Sequence, residues 1–175
     1  KARFASQDIG SFTENLVFEI VGNGKQYTVQ SKGTCAFPQV SNDYRNVFMR
    51  KIKSRPAKGG VKKQYVISQG VFDFGPLLVG KDRSRYKECP HPDNVERFRV
   101  TNNGLFPVTV DIAMQSDATG AVFLLDPPTM ELQCDETREL SLWAYPDKPG
   151  DYNDAVVMCV RNNPIPVVFP VMCVA

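Results

Sequence analysis

The sequence predicts an all-β protein, a β-sandwich of about seven strands over residues 66–175. Two observations carry this. Phe98 and Val100, then Val108, Val110 and Ile112, alternate with polar neighbours such as Thr109 and Asp111. A period of two marks strands that bury one face. In addition, thirteen prolines and twelve glycines punctuate short apolar runs, and no 3.6-residue period is sustained. Many short strands separated by turn residues argue for a sandwich rather than alternating β and α elements.

Strands are expected over 15–21, 26–32, 71–74, 96–101, 106–114, 121–125, 138–145, 155–161 and 166–174. The first two flank the turn Gly22-Asn23-Gly24. Val71-Phe-Asp-Phe74 opens the next apolar run. The strands at 96–101 and 106–114 flank Thr101-Asn-Asn-Gly104, whose Asn and Gly tolerate the positive φ of tight turns, so the pair reads as a β-hairpin. In 138–145, Leu140, Leu142 and Ala144 point inward and Ser141 and Trp143 outward; Pro146 and Lys148-Pro-Gly150 close the strand. Tyr152, Val156, Met158 and Val160 share one parity, and Asn162-Asn-Pro164 turns the chain into the last strand. Phe98, Val110, Leu142, Tyr152 and Met158 are the expected core.

The start of the chain also echoes its end. Phe12 set over Tyr152, an offset of 140, places Leu16, Val17, Phe18 and Ile20 on Val156, Val157, Met158 and Val160. The same offset places Gly22-Asn-Gly24 on Asn162-Asn-Pro164. Residues 1–37 are therefore expected to close a preceding copy of the domain, with 38–65 a basic linker or insert and 66–175 a complete domain.

Composition narrows function by exclusion. Hydrophobic residues are 42% and charged residues 23% of the 175, and the net charge is +2. No global attraction to nucleic acid or membrane follows. No apolar run nears the roughly 20 residues that span a bilayer. The five cysteines are odd in number, have no Cys-x-x-Cys spacing, and fit a reducing, cytosolic compartment.

Cys89-Pro-His91-Pro-Asp93 gathers a thiol, an imidazole and a carboxylate, but adjacent residues in a stiff loop do not converge on a metal or form a base–nucleophile pair. Glu131, Asp135 and Glu136 surround a turn, where solvated charge is ordinary. No enzyme, cofactor or metal is expected. The segment 44–63 stands out instead, with 8 of the 21 basic residues and no acid. Arg50, Lys51, Lys53, Arg55, Lys58, Lys62 and Lys63 are the candidate contact for an acidic partner, with Phe48, Ile52 and Tyr65 as apolar anchors. No stacking platform for RNA or DNA accompanies them.

Val71-Phe-Asp-Phe-Gly75, Phe98-Arg-Val-Thr-Asn-Asn103, Phe123-Leu-Leu-Asp-Pro127, Glu139-Leu-Ser-Leu-Trp-Ala-Tyr-Pro146 and Gly150-Asp-Tyr152 together form a pattern. It resembles the ASH domain of the major sperm protein and PapD-like group of immunoglobulin-like sandwiches. Asn42-Asp-Tyr-Arg-Asn-Val-Phe48, Lys53-Ser-Arg-Pro56, Phe72 to Leu78 and Arg85-Tyr-Lys-Glu88 narrow the resemblance to the large ASH-repeat proteins of the ciliary axoneme. The resemblance implies a non-enzymatic scaffold of the central apparatus in motile cilia. Its implied partners are other central-apparatus proteins, tubulin and adjacent ASH domains, with no nucleic acid and no membrane. A second implied function is that of relatives that bind short acidic peptides through a lysine cluster. Here the corresponding run, Val110-Asp-Ile-Ala-Met-Gln-Ser116, has an acid and no lysine.

Overall fold

The computed structural model describes residues 4–6, 8–55, 63–88, 90–116 and 122–175. The chain divides into two units, Lys1–Phe37 and Pro38–Ala175. In the first, Gly10–Glu19 (β1) and Gln26–Cys35 (β2) form an antiparallel hairpin with Phe12 opposite Gly33 and Phe18 opposite Tyr27. Its tip is closed by the Asn23 side chain, whose Oδ1 accepts from Lys25 N at 2.9 Å.

The second unit contains one helical turn, Tyr44–Val47 (α1), and strands Lys51–Ile52 (β3), Gln64–Val66 (β4), Val71–Pro76 (β5), Val95–Thr101 (β6) and Val108–Met114 (β7). They are followed by Phe123–Asp126 (β8), Thr129–Leu132 (β9), Thr137–Ala144 (β10), Asp151–Val160 (β11) and Val167–Val174 (β12). One sheet has the order β3-β4-β5-β12-β11-β7-β9 and the other β6-β10-β8. This is an immunoglobulin-like sandwich, with β5 running parallel to the closing strand β12. Inward residues from both sheets meet between them: Phe98, Leu140 and Leu142 from the smaller, Val110, Val156, Met158 and Phe169 from the larger. Trp143 points to the opposite side from Leu142, as its parity requires. It is nonetheless covered, because the Tyr86 ring packs edge-on against it with centroids 4.9 Å apart.

Three expectations are corrected. The strands at 96–101 and 106–114 do not form a hairpin. β6 pairs with β10 and β7 with β11 and β9, so the turn between them carries the chain from one sheet to the other. Asn102 organises this crossing from a fully buried position. Its Nδ2 donates to Phe106 O at 2.9 Å and Leu132 O at 3.3 Å, and its Oδ1 accepts from Gly104 N at 2.9 Å. Asn102→Ala is expected to cost about 2 kcal/mol, because it removes three hydrogen bonds, one of them to the buried Leu132 carbonyl. Chemical denaturation of the purified chain measures this.

Residues 38–65 are not a linker, since most of the described ones are built into the sandwich. Val40, Val47, Phe48 and Tyr65 belong to the core, and β3 and β4 extend the larger sheet. Phe48 and Tyr65 are therefore core residues, not anchors for a partner. The Asp43 side chain starts α1 by accepting from Arg45 N at 2.9 Å. The hydrogen bond from Ser41 N to Thr101 O, at 2.8 Å, ties the segment to the edge of β6.

β9 is a strand absent from the expected set. It continues β8 after Pro127-Pro128, neither of which can donate to a ladder, and there the chain switches sheets. The expected strand at 121–125 begins outside the described residues.

Candidate partner-contact surface

The seven basic residues of 50–63 fall into three groups. Arg50, Lys51 and Lys53 are exposed along β3, the edge strand of the larger sheet. Their backbone is fixed from one side: Tyr65 N donates to Arg50 O at 2.9 Å, Ile67 N to Ile52 O at 2.9 Å and Ser68 N to Lys53 O at 3.0 Å. Lys51 Nζ reaches Arg45 O at 3.1 Å. Charged side chains on a two-residue edge also discourage unwanted strand pairing.

Arg55 and Lys63 do other work. Arg55 Nη2 lies 2.7 Å from Asp73 Oδ2, and the Asp73 side chain is only 2% exposed. The other carboxylate oxygen accepts from Gly75 N at 2.7 Å, and Met172 Sδ lies 2.8 Å from Arg55 Nη2. A buried carboxylate requires such partners. Lys63 Nζ donates to Pro92 O at 2.8 Å and to Val95 O, with Glu96 Oε2 at 3.7 Å, and so caps the start of β6. These two cations are internal ties, which corrects their assignment to a partner surface. Lys58 and Lys62 lie outside the described residues. The sequence held one signal for Arg55. Asp73 sits between Phe72 and Phe74 on a strand, where a carboxylate needs a cation brought to it.

The remaining candidate groups show ordinary surface and core chemistry. Cys89 lies outside the described residues; the His91 ring stands edge-on to Tyr145 with centroids 6.3 Å apart. Among the described residues, no three His, Cys, Asp or Glu side chains converge as a metal site. Cys173 is buried, and that burial, reinforced by the Asp73 charge, pushes its thiol up to about 12. Such a thiol is a packing group rather than a nucleophile at neutral pH. On β7, the Arg161 side chain first and Thr129 second hold the Asp111 carboxyl below its usual range. Its charge is thus committed to the neighbouring turn and strand. No helix among the described residues is long and apolar enough to cross a membrane.

No protein-family model matches the chain. Over 173 residues, 99% of its length, it is 34% identical to the hydrocephalus-inducing protein of Mus musculus. The chain is related to the hydrocephalus-inducing proteins. The Homo sapiens homolog matches with the same identity and extent. The relation to the hydrocephalus-inducing proteins therefore runs through the β1–β2 hairpin as well as the sandwich. The chain spans about 3% of the length of either relative. Among solved structures, the ASH/PapD-like domain 7 of human CEP192 is 17% identical, with 46% of this chain and 70% of that one covered at a TM-score of 0.39. The C. elegans major-sperm-protein family member WR4 is 10% identical, with 46% and 83% covered at a TM-score of 0.36.

Proposed function

We propose that the chain is a structural repeat segment of a scaffold in the central apparatus of the ciliary axoneme, assembling by protein–protein or microtubule-associated contacts needed for motility. The observation that supports this most is the 34% identity to the hydrocephalus-inducing proteins across both units. The architecture suits the role. A sandwich with a core shared by both sheets and a buried ion pair is a rigid part, and its specificity resides in edges and loops. Replacing this segment in the full-length protein with an unrelated domain of equal length tests the proposal. Electron microscopy of axonemes in cross-section is expected to show loss of a projection on a central microtubule, with impaired beating. Intact central microtubules with all projections and normal beating would overturn it.

Within that role, Arg50, Lys51 and Lys53 are the proposed contact with an acidic neighbour such as tubulin. Each exposed pair contributes at most about 1 kcal/mol, so binding rests on the three together and on avidity from flanking units. Co-sedimentation with microtubules at low salt is expected for the chain and reduced in a variant with all three changed to glutamine. Raising the salt to physiological strength weakens it further. Equal sedimentation of both proteins would leave this edge as a protective device only.

A further inference from the structure

The β1–β2 hairpin copies the β11–β12 hairpin in its pairing plan. Phe12 pairs with Gly33 and Tyr152 with Cys173; Phe18 pairs with Tyr27 and Met158 with Val167. Each of these residues differs from its counterpart by 140 in number, so one offset maps both strands and their register together. The tips match too. Asn23 Oδ1 accepts from Lys25 N, and Asn163 Oδ1 accepts from Ile165 N, both at 2.9 Å. Gly22 and Asn162, again 140 apart, both take positive φ, at 101° and 65°.

The surroundings differ. Val156 and Met158 are 0% and 1% exposed, whereas their counterparts Leu16 and Phe18 are 43% and 55% exposed. β11 is closed on its outer edge by β7, and β12 on its outer edge by β5. No strand closes either outer edge of β1–β2 among the described residues. Ile20 N donates to Lys25 O, so the even-numbered groups of β1 face β2 and the odd-numbered ones, at Asn15, Val17 and Glu19, face outward.

We infer that β1–β2 is the closing edge of a second sandwich, whose other strands come from polypeptide on the N-terminal side of Lys1. This rests on the reading of the chain as part of a repeat scaffold. It commits to three docking surfaces. A β7-like strand pairs antiparallel along β1, a β5-like strand runs parallel along β2, and a smaller sheet covers the face bearing Leu16, Phe18 and Val29. The relatives are long enough to supply such strands, since the chain spans about 3% of either.

Amide hydrogen exchange tests this on two proteins: residues 1–175, and the same chain extended at its N-terminus by about 100 residues, the size of one sandwich. In 1–175 the amides of Asn15, Val17 and Glu19 are expected to exchange almost freely. In the extended protein they are expected to slow by about a thousandfold, as for amides that open only with a whole folding unit. Leu16→Asp should leave the thermal unfolding of 1–175 unchanged and remove one unfolding transition from the extended protein. Edge amides that stay unprotected beside a folded extension would overturn the inference. So would protection in 1–175 that grows with concentration, which would assign the edge to a second copy. Loss of axonemal function leaves this readout untouched, so the two proposals fail separately.

Discussion

Phe48→Ala is expected to destabilise the Pro38–Ala175 unit by about 3–5 kcal/mol and to lower its melting midpoint by about 10 °C or more. The ring is fully buried and touches both sheets. It stacks on Tyr65 with centroids 4.3 Å apart and lies 5.5 Å from Phe72. It meets Phe98 and Phe169 edge-on at 4.8 Å and 5.3 Å. Phe98 belongs to the smaller sheet and the other three rings to the larger, so no single neighbour can move in to fill the void. Phe48→Leu keeps more of the volume and should cost less. Differential scanning calorimetry of both variants gives the comparison. A near-neutral alanine variant would mean that 38–55 is a dispensable strap after all.

Arg55→Met should cost about 3 kcal/mol, the low end for breaking a buried ion pair because a third of the Arg55 side chain is in water. The loss comes from Asp73, whose carboxylate would keep the Gly75 N–H but lose its cation. Asp73→Asn added to Arg55→Met should recover much of it. The introduced amide oxygen can still accept from Gly75, and no buried charge remains. Urea unfolding of the two single variants and the double variant yields the coupling directly. Equal stability of Arg55→Met and the double variant would show that the pair carries no energy. Added salt should change the result little, since buried pairs are weakly screened.

Residue alternation was enough to place most of the sandwich, because period two reports which face of a strand is buried. It does not report which strand lies alongside. That is why Thr101-Asn-Asn-Gly104 read as a hairpin turn although the chain crosses between sheets there: both routes use the same turn residues. The segment 38–55 was misread for a different reason. Its density of lysine and arginine masks Val40, Val47 and Phe48, too few apolar residues to show a period. The strands they lead into are two and three residues long and exist only through pairing, β3 to β4 and β4 to β5. β9 does alternate, with Met130 and Leu132 buried and Thr129 and Glu131 exposed, but the prolines before it and the turn after it read as loop. At the candidate surface, charge counting found the basic cluster. It could not separate cations facing solvent from Arg55 and Lys63, whose partners lie far away in the sequence.

The parallel pairing of β5 with β12 has a mechanical consequence. The backbone is gripped at Pro38, whose carbonyl accepts from Asn163 Nδ2 at 2.9 Å beside the tip of the β11–β12 hairpin. At the opposite end of those strands, Ala175 and Gly150 exchange hydrogen bonds of 2.9 Å. Tension between these two points runs along the strands. β12 would then be pulled lengthwise between β5 and β11, so its ladder bonds on both sides are loaded in shear and must fail together. A hairpin pulled from its two open ends, such as Gly10 and Cys35 of β1–β2, instead unzips one pair at a time. Resistance to forced unfolding depends on the unfolding rate rather than on equilibrium stability. The strand order thus favours a unit that bears tension along its length.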